Sequence, residues 1–353
     1  MEQVVVLGGG LAGCTTALEL ANLGFEVILV EQSDRLGGKV RDYGCKASGK
    51  CNNCGLCLSQ GLWKAVEANS KIDLRLKHKL IEVTGEYPNI QINIEGPQGS
   101  EQISNITSLV VAVGFEFSSL SCAQLEVEPG SKIITGSQLE KIAKDRSLDA
   151  FFEDPPRTIA FIQCFGSRNI KERATYCSKV CCGYSTRLAL AIKKLHPETK
   201  ITFFYMDLQQ VKKGNYFDEL VQEGIEFIKC RPVSINKGEP DFILYEHPGK
   251  TGLQRLETDL TVLTEGIRPS ASTEELAELC QLAVDQKGFL KTIKDSAKTG
   301  IYVVGCAKGP AKIEETYSEA LLTARKIAAQ SNLQFKTVAE SGLKEIEGAE
   351  AVL

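Results

Sequence analysis

Hydrophobic positions fall into short unbroken runs at the start of the chain. Val4 to Leu7 is apolar throughout, and Gly8-Gly9-Gly10-Leu11-Ala12-Gly13 follows at once. Such a run suits a strand buried on both faces of a parallel sheet. Cys14 to Leu23 has helical apolar spacing, and Glu26 to Val30 reads as a second strand that ends at Glu31. Residues 32–70 are a connection rich in glycine, cysteine and polar residues. Lys71 to Gly85 and Ile90 to Glu95 predict an antiparallel ribbon, and Leu109 to Val113 a further buried strand closed by Gly114. A turn-rich crossing with Pro129-Gly130 then leads to a helix over Ser137 to Ala143.

A second alternation begins after Pro155-Pro156. Strands are expected at Thr158 to Gln163, Lys200 to Tyr205 and Ile225 to Lys229, with helices at Lys179 to Leu195 and Phe217 to Glu223. Phe242 to Tyr245, Gln254 to Glu257 and Leu260 to Leu263 read as antiparallel strands returning to the first unit. Ile301 to Val304 reads as a last strand and Ile313 to Ala329 as a last helix. The pattern predicts an α/β fold with two dinucleotide-binding, Rossmann-like units. The expected boundaries are 1–120 with 240–335 for a discontinuous first domain, 121–239 for the second, and 336–353 for a polar tail.

Composition narrows the function classes. The 353 residues are 43% hydrophobic and 24% charged, with a net charge of -4 and no basic run, so a nucleic-acid partner is not expected. No apolar stretch approaches the roughly 18 residues of a membrane span. The start lacks a signal-peptide pattern, so the expected location is the cytoplasm.

Cysteine changes the picture most. In a reducing compartment, 13 cysteines point to metal ligands or redox groups rather than disulfides. Eight lie in two tight groups: Cys45, Cys51, Cys54 and Cys57, then Cys164, Cys177, Cys181 and Cys182. Cys14, Cys122, Cys230, Cys280 and Cys306 are scattered and read as small buried side chains.

The glycine turn fixes one ligand class. Gly8, Gly10 and Gly13 form G-x-G-x-x-G between a strand and a helix. Glycines there allow a tight turn, a close backbone approach to pyrophosphate and close helix–strand packing. The helix N-terminus favours phosphate. Glu31 ends the second strand, where an acid accepts hydrogen bonds from ribose hydroxyls.

Arg35-Leu36-Gly37-Gly38 after Glu31 looks like the FAD-binding family related to thioredoxin reductase and glutathione reductase. Leu109 to Gly114 (LVVAVG) and Tyr302-Val303-Val304-Gly305-Cys306 resemble later signatures of that family, with Cys306 where the family usually has Asp. The resemblance implies a three-layer ββα fold of the thioredoxin reductase type. It implies an FAD site on Gly8, Gly10, Leu11, Ala12, Gly13, Glu31, Gln32, Gly38, Lys39, Val113, Gly114, Gly305, Cys306, Pro310 and Ile313. Lys39, Arg41, Lys308 and Lys312 lie near the flavin by the same analogy, where a cation stabilises reduced flavin; solvated surface charges are the other reading.

Each cysteine group has its own chemistry. Cys164-x12-Cys177-x3-Cys181-Cys182 supplies four soft ligands. Adjacent cysteines are awkward for one tetrahedral zinc and easier for a [4Fe–4S] cube, whose irons lie at separate corners. Cys164 also stands where a pyridine-nucleotide unit would carry its glycine turn; Gln163-Cys164-Phe165-Gly166 takes that place. Cys45-x5-Cys51-x2-Cys54-x2-Cys57 resembles part of a ferredoxin loop, and a second cluster, zinc or a redox Cys51/Cys54 pair all remain open. His78, His196 and His247 are far apart, so no histidine-based catalysis follows.

Phe161 to Arg168, Tyr176 to Cys182, Phe204 to Asp207 and Gly305 to Ile313 together resemble the heterodisulfide reductase family, in its A-type chains, over most of the sequence. The short form is similar to the A-type chains of heterodisulfide-reductase-like complexes of sulfur-oxidising bacteria. That resemblance implies FAD, a [4Fe–4S] cluster on the second cysteine group, a homodimer, and partner subunits that process thiols or disulfides. The ferredoxin domains of the full-length family are missing, so flavin-based bifurcation is not expected. The expected function is an oxidoreductase subunit relaying electrons between flavin and such partners. The alternative is a stand-alone NAD(P)H-dependent disulfide reductase, and a scaffold with structural cofactors is a third reading.

Overall fold

The computed structural model describes residues 2–47, 51, 53–118, 125–128, 130–144, 155–209, 215–291 and 299–331. Cys122, Pro129 and the tail after Ser331 lie outside these residues. The chain opens with β1 (Gln3–Leu7), α1 (Leu11–Asn22) and β2 (Glu26–Glu31). Next come α2 (Leu62–Glu67), β3 (Ile72–Leu76), β4 (Lys79–Glu86), β5 (Asn89–Gly96), β6 (Gly99–Val111) and β7 (Phe115–Phe117).

β1, β2 and β3 run parallel in the order β3-β2-β1, and β6 continues the sheet beside β1. β6 is 13 residues long and serves two layers. Its first half pairs antiparallel with β5, and its second half pairs parallel with β1. The ribbon expected over 71–85 is thus divided: β3 joins the parallel sheet, and β4 starts an antiparallel meander.

Alternation along β1 shows why three layers form. Val4 and Val6 pack with Leu20 and Ala17 of α1, whereas Val5 and Leu7 pack with Ile92, Ile94 and Ile103 of the meander. A strand covered on both faces can be apolar throughout, as this one is.

The second unit repeats the plan. It comprises β8 (Glu126–Val127), β9 (Ile133–Thr135), α3 (Gly136–Lys144), β10 (Thr158–Phe165), α4 (Cys181–Leu195) and β11 (Lys200–Phe204). It continues with α5 (Asn215–Gln222), β12 (Glu226–Ile228), β13 (Pro232–Asn236), β14 (Asp241–Glu246), β15 (Leu253–Thr258) and β16 (Leu260–Glu265). The parallel sheet has the order β12-β11-β10-β16-β9, and β15-β14-β13-β8 form the covering sheet. Phe161 and Phe203 face α4 and α5, while Ile162 and Phe204 face Ile235, Ile243 and Tyr245.

This corrects the expected boundary at residue 240. β14 and β15 stay with the second unit, and β16 is central in its sheet, parallel to both β10 and β9. Leu260, Val262 and Leu263 are apolar, and Thr261 is buried with them, because this strand is covered on both faces, which its nearness to a hairpin in sequence concealed. The chain returns through β17 (Ile267–Pro269), which pairs antiparallel with β7. α6 (Thr273–Leu279), β18 (Ile301–Val303) and α7 (Ile313–Gln330) then complete the first unit, with β18 parallel to β6. Among the described residues no helix is long and apolar enough to cross a membrane.

Candidate functional site

The three glycines of the first turn have different tasks. A Cβ on Gly13 would lie 1.8 Å from the Gly8 carbonyl oxygen, so Gly13 lets α1 cross the turn. Gly8 has φ +104, and a Cβ there would lie 2.5 Å from the Ala112 carbonyl oxygen. A Cβ on Gly10 would meet nothing within 4 Å among the described residues, so it would point into open space. Gly10 caps α1 with no side-chain hydrogen bond and no acid in the first turn, so the first N–H groups of the helix stay available to an anion.

Glu31 ties this turn down. Its Oε2 accepts the Gly9 N–H at 2.6 Å, and its Oε1 accepts Ser33 N–H at 2.8 Å and Ser33 O–H at 2.7 Å.

A cavity of about 1040 Å³ opens from the turn and runs between the two units. Of the expected flavin residues, Gly8, Gly10, Leu11, Ala12, Glu31, Gln32, Gly38, Lys39, Val113, Gly114, Cys306 and Ile313 line it. Gly13, Gly305 and Pro310 are not in its wall. Gly305 instead donates its N–H to Glu319 Oε2 at 2.9 Å. Burial pushes the Cys306 thiol up to about 11, and its Sγ lies 3.6 Å from the Ala311 carbonyl. It is a buried thiol held in its neutral form.

The expected cations are largely compensated. Lys39 Nζ lies 3.0 Å from Glu116 Oε2 and over the rings of Phe115 and Phe117 at 5.6 and 5.4 Å. Lys308 pairs with Glu319, and Arg41 donates to the Leu36 carbonyl at 2.8 Å. Lys312 lies in the cavity wall.

The structure brings the second cysteine group together. Cys164 is the penultimate residue of β10, Cys181 and Cys182 open α4, and all three are at most 2% exposed. Cys181 lies close enough to Cys164 and Cys182 for the three thiols to shift one another's titration: Cys164 and Cys182 are lowered and Cys181 is raised. Cys177, half-buried, is close enough to feel the charges of Cys164 and Cys182.

The backbone between them is held in the left-handed region at Cys164, Gly166, Arg168, Arg173 and Lys179. Such turns aim consecutive N–H groups at an anion, and Lys179 N–H lies 3.3 Å from Cys177 Sγ. Cys164 is lowered to about 7, first by its hydrogen bond with Cys181 and then, against burial, by the charges of Arg168 and Arg231. Among the described residues Ser167 Oγ and Gln163 Oε1, buried nearby, have no hydrogen-bond partner. Four soft thiols, two guanidinium groups and left-handed turns suit an anionic iron–sulfur cube. Among the described residues no three His, Cys, Asp or Glu side chains converge as a single ion requires; a cube separates its ligands over its corners.

The first group is divided. Cys51 and Cys54 line the large cavity, while Cys45 and Cys57 line an adjoining groove of about 380 Å³ beside Trp63. Asn53, at φ 47, places its N–H 3.4 Å from Cys51 Sγ. Residues 48–50 and 52 lie outside the described part.

One group of residues carries no sequence signal. Lys46 pairs with Glu140 where the first unit's cysteine loop meets α3, and both line the cavity. Burial pushes the Glu140 carboxyl up in spite of Lys46, and Tyr43 and Tyr184 are raised well above their ordinary range, chiefly by burial. Lys46 looks like any loop lysine in the sequence, and only the pairing reveals it.

Two stacked three-layer units with a cavity between them define the fold class of the flavoprotein disulfide reductases. A Bacillus cereus bacillithiol disulfide reductase superposes with TM-score 0.59 at 15% identity, covering 94% of this chain and 99% of that one. T. acidophilum thioredoxin reductase gives TM-score 0.61 at 14% identity, with coverage of 93% and 99%. An Escherichia coli flavoprotein disulfide reductase gives TM-score 0.55 at 14% identity, with coverage of 92% and 70%. The NAD(P)-binding Rossmann-like domain family matches residues 6–55.

By sequence the chain is similar to A-type chains of heterodisulfide reductases along about nine-tenths of its length. It is 25% identical to the A-type chain of the ferredoxin:CoB-CoM heterodisulfide reductase of Methanosarcina acetivorans, over 92% of this chain and 56% of that protein. It is 24% identical to an A-type iron-sulfur chain of the CoB–CoM heterodisulfide reductase of Methanopyrus kandleri, over 93% of this chain and 64% of that protein. The chain thus spans less than two thirds of these relatives, and by name they are reductases, as are the structural neighbours.

Proposed function

We propose that this chain is an oxidoreductase subunit that holds FAD in the inter-unit cavity and one [4Fe–4S] cluster on Cys164, Cys177, Cys181 and Cys182. It passes electrons between flavin and partner subunits of a heterodisulfide-reductase-like complex that carry out thiol or disulfide chemistry. We place it in the cytoplasm, as a homodimer, where a reducing milieu keeps thiols available.

One observation carries the reading. Cys181 and Cys182 sit between Val180 and Gly183, and both of these line the cavity that starts at the glycine turn. The thiols and the dinucleotide site are therefore separated by one wall. Bound there, flavin exchanges electrons singly or in pairs and the cluster exchanges them singly.

The chain's own residues do the rest. The α1 N-terminus and Gly10 accept the pyrophosphate, and Glu31 holds the turn open through Gly9. Arg168 and Arg231 offset the charge gathered by four thiolates. Near the end of β10, where a second glycine turn would begin, the chain carries Cys164 at φ 59 with 2% exposure, which favours a cluster there over a second pyrophosphate.

Anaerobic purification with flavin, iron and acid-labile sulfide analysis tests this, with Cys164→Ala measured beside the native chain. The expected result is one FAD and about four irons per chain, with the iron lost in the variant. Flavin without iron, rapidly bleached by NAD(P)H, would instead support the stand-alone reductase.

A further inference from the structure

The loop that carries Cys177 rises from the surface as a short hairpin. Arg168 N–H donates to Tyr176 O at 3.1 Å, and Asn169 and Ala174 exchange N–H···O bonds of 2.9 and 3.0 Å. Its base is buried: Asn169 is 8%, Ala174 0% and Tyr176 8% exposed.

Side chains from three directions fasten it. Arg268 Nη1 donates to the Glu172 carbonyl at 2.8 Å, and Arg231 Nη2 to the Arg168 carbonyl at 2.8 Å. Arg168 pairs with Asp207 at 2.6 Å, and Tyr176 O–H reaches the Ile267 carbonyl at 3.0 Å. Left-handed backbone at Arg168 and Arg173 sets the turn. This is a loop of fixed shape, so the side chain at its tip is held out rather than left loose.

That side chain is Ile170. At 83% exposed it is the most exposed large hydrophobic side chain among the described residues. Lys171 and Arg173 flank the tip, both exposed, and among the described residues neither has an ion-pair partner. Lys179 is exposed two residues beyond Cys177, and the carboxylate nearest it, on Glu315, is 3.9 Å away. Lys287 Nζ stands 5.9 Å from the Tyr176 ring at the hairpin base. Glu172 between Lys171 and Arg173, Glu315 beside Lys179 and Asp285 beside Tyr176 are the carboxylates of this surface, so its basic character is concentrated on Lys171 and Arg173 at the tip.

The hairpin also marks the most accessible approach to the thiols. Cys164, Cys181 and Cys182 are buried, and Cys177 is the half-buried member. Electron tunnelling weakens steeply with distance, so a partner would exchange electrons fastest from above Cys177.

Resting on the proposed cluster, we infer that the Arg168–Tyr176 hairpin with Lys179 and Lys287 is the docking face for an acidic redox protein. Ile170 seats in an apolar notch of that partner, and Lys171 and Arg173 meet carboxylates around its redox centre. An apolar centre with a charged rim is the anatomy of a transient interface, and the rim charges steer encounter.

The test uses the holoprotein, with reduced plant-type ferredoxin as the acidic probe and basic cytochrome c as the control. Binding is read by calorimetry and electron transfer by stopped flow. The native chain should bind ferredoxin and not cytochrome c, with a rate that falls as salt rises. Lys171→Glu with Arg173→Glu should slow the reaction by roughly 10- to 100-fold. Ile170→Ser, which removes the apolar side chain without adding charge, should weaken binding at unchanged salt dependence.

Iron and flavin contents that match the native chain show that each variant is folded. Ferredoxin rates within twofold of native in both variants would overturn the inference, as would equal binding of cytochrome c. Dissociation of a native dimer by Ile170→Ser would also overturn it, because a second copy would then cover the tip. Absence of iron sinks the cluster reading instead, and it is recognised separately, since calorimetry reports docking without a cluster.

Discussion

Lys46 and Glu140 form an ion pair in which each side chain is only 5% exposed, and it joins the cysteine loop of the first unit to α3 of the second. Removing one member of such a pair leaves a buried charge without compensation. Lys46→Met is expected to cost about 3–5 kcal/mol, and Lys46→Met with Glu140→Leu to recover most of it. Urea unfolding of the apoprotein checks both.

Glu140 also has a pH signature. Burial, outweighing Lys46, holds its carboxyl above the usual value of 4.5. The folded state then keeps this proton to higher pH than the unfolded chain. Its contribution to stability is full below the unfolded value and declines as pH rises through the folded one. Glu140→Gln should flatten that part of the stability–pH curve.

The glycines of the first turn should separate binding from folding. At Gly10 a Cβ meets nothing within 4 Å, so Gly10→Ala should keep the native melting temperature. It should weaken dinucleotide binding about tenfold or more, because the methyl enters the space that pyrophosphate approaches. At Gly13 a Cβ falls 1.8 Å from Gly8 O, so Gly13→Ala should lower the melting temperature itself. Thermal melts with and without added FAD distinguish the two.

Thiol reactivity should follow burial. Cys306 is pushed up to about 11 and Cys280 to about 12, and Cys14 is raised as well, each chiefly by burial. Iodoacetamide at pH 8 should leave these three unmodified in the folded apoprotein, while the exposed Cys45, Cys51 and Cys57 react. Peptide mapping by mass spectrometry reads the result.

The division of the first cysteine group gives a further expectation. Cys51 and Cys54 face the large cavity and Cys45 and Cys57 the smaller groove. Cys51→Ser should therefore leave about four irons per chain, the content of a single cube.

The sequence revealed those parts of the fold that local pattern controls. β1, α1, β2 and Glu31 follow from an apolar run, a glycine turn and a terminal acid, and they stand where expected. The convergence of Cys164 with Cys181 and Cys182 was also legible, because a strand end and a helix start are neighbours in any βα unit.

What escaped were relationships set by distant pairing. β16 looked like part of a returning meander, yet its partners β10 and β9 come from far earlier in the chain. α2 lies in a stretch that glycines and cysteines made look irregular; Gly61, at φ +74, caps it. Lys46 and Glu140 are 94 residues apart, and no periodicity links them.

The β7–β17 ribbon has a consequence for how this molecule is put together. Phe117 lies opposite Ile267, so the chain leaves the first unit and re-enters it side by side. Facing residues of an antiparallel pair have Cα atoms only about 4.5–5.5 Å apart. Everything between them is therefore a cassette whose two ends meet at one seam. A tight hairpin across that seam would close the first unit without moving its other strands. The thiol-bearing module could thus be exchanged as a single stretch of chain, while the glycine turn, the sheet around β1 and the helix α7 keep their places.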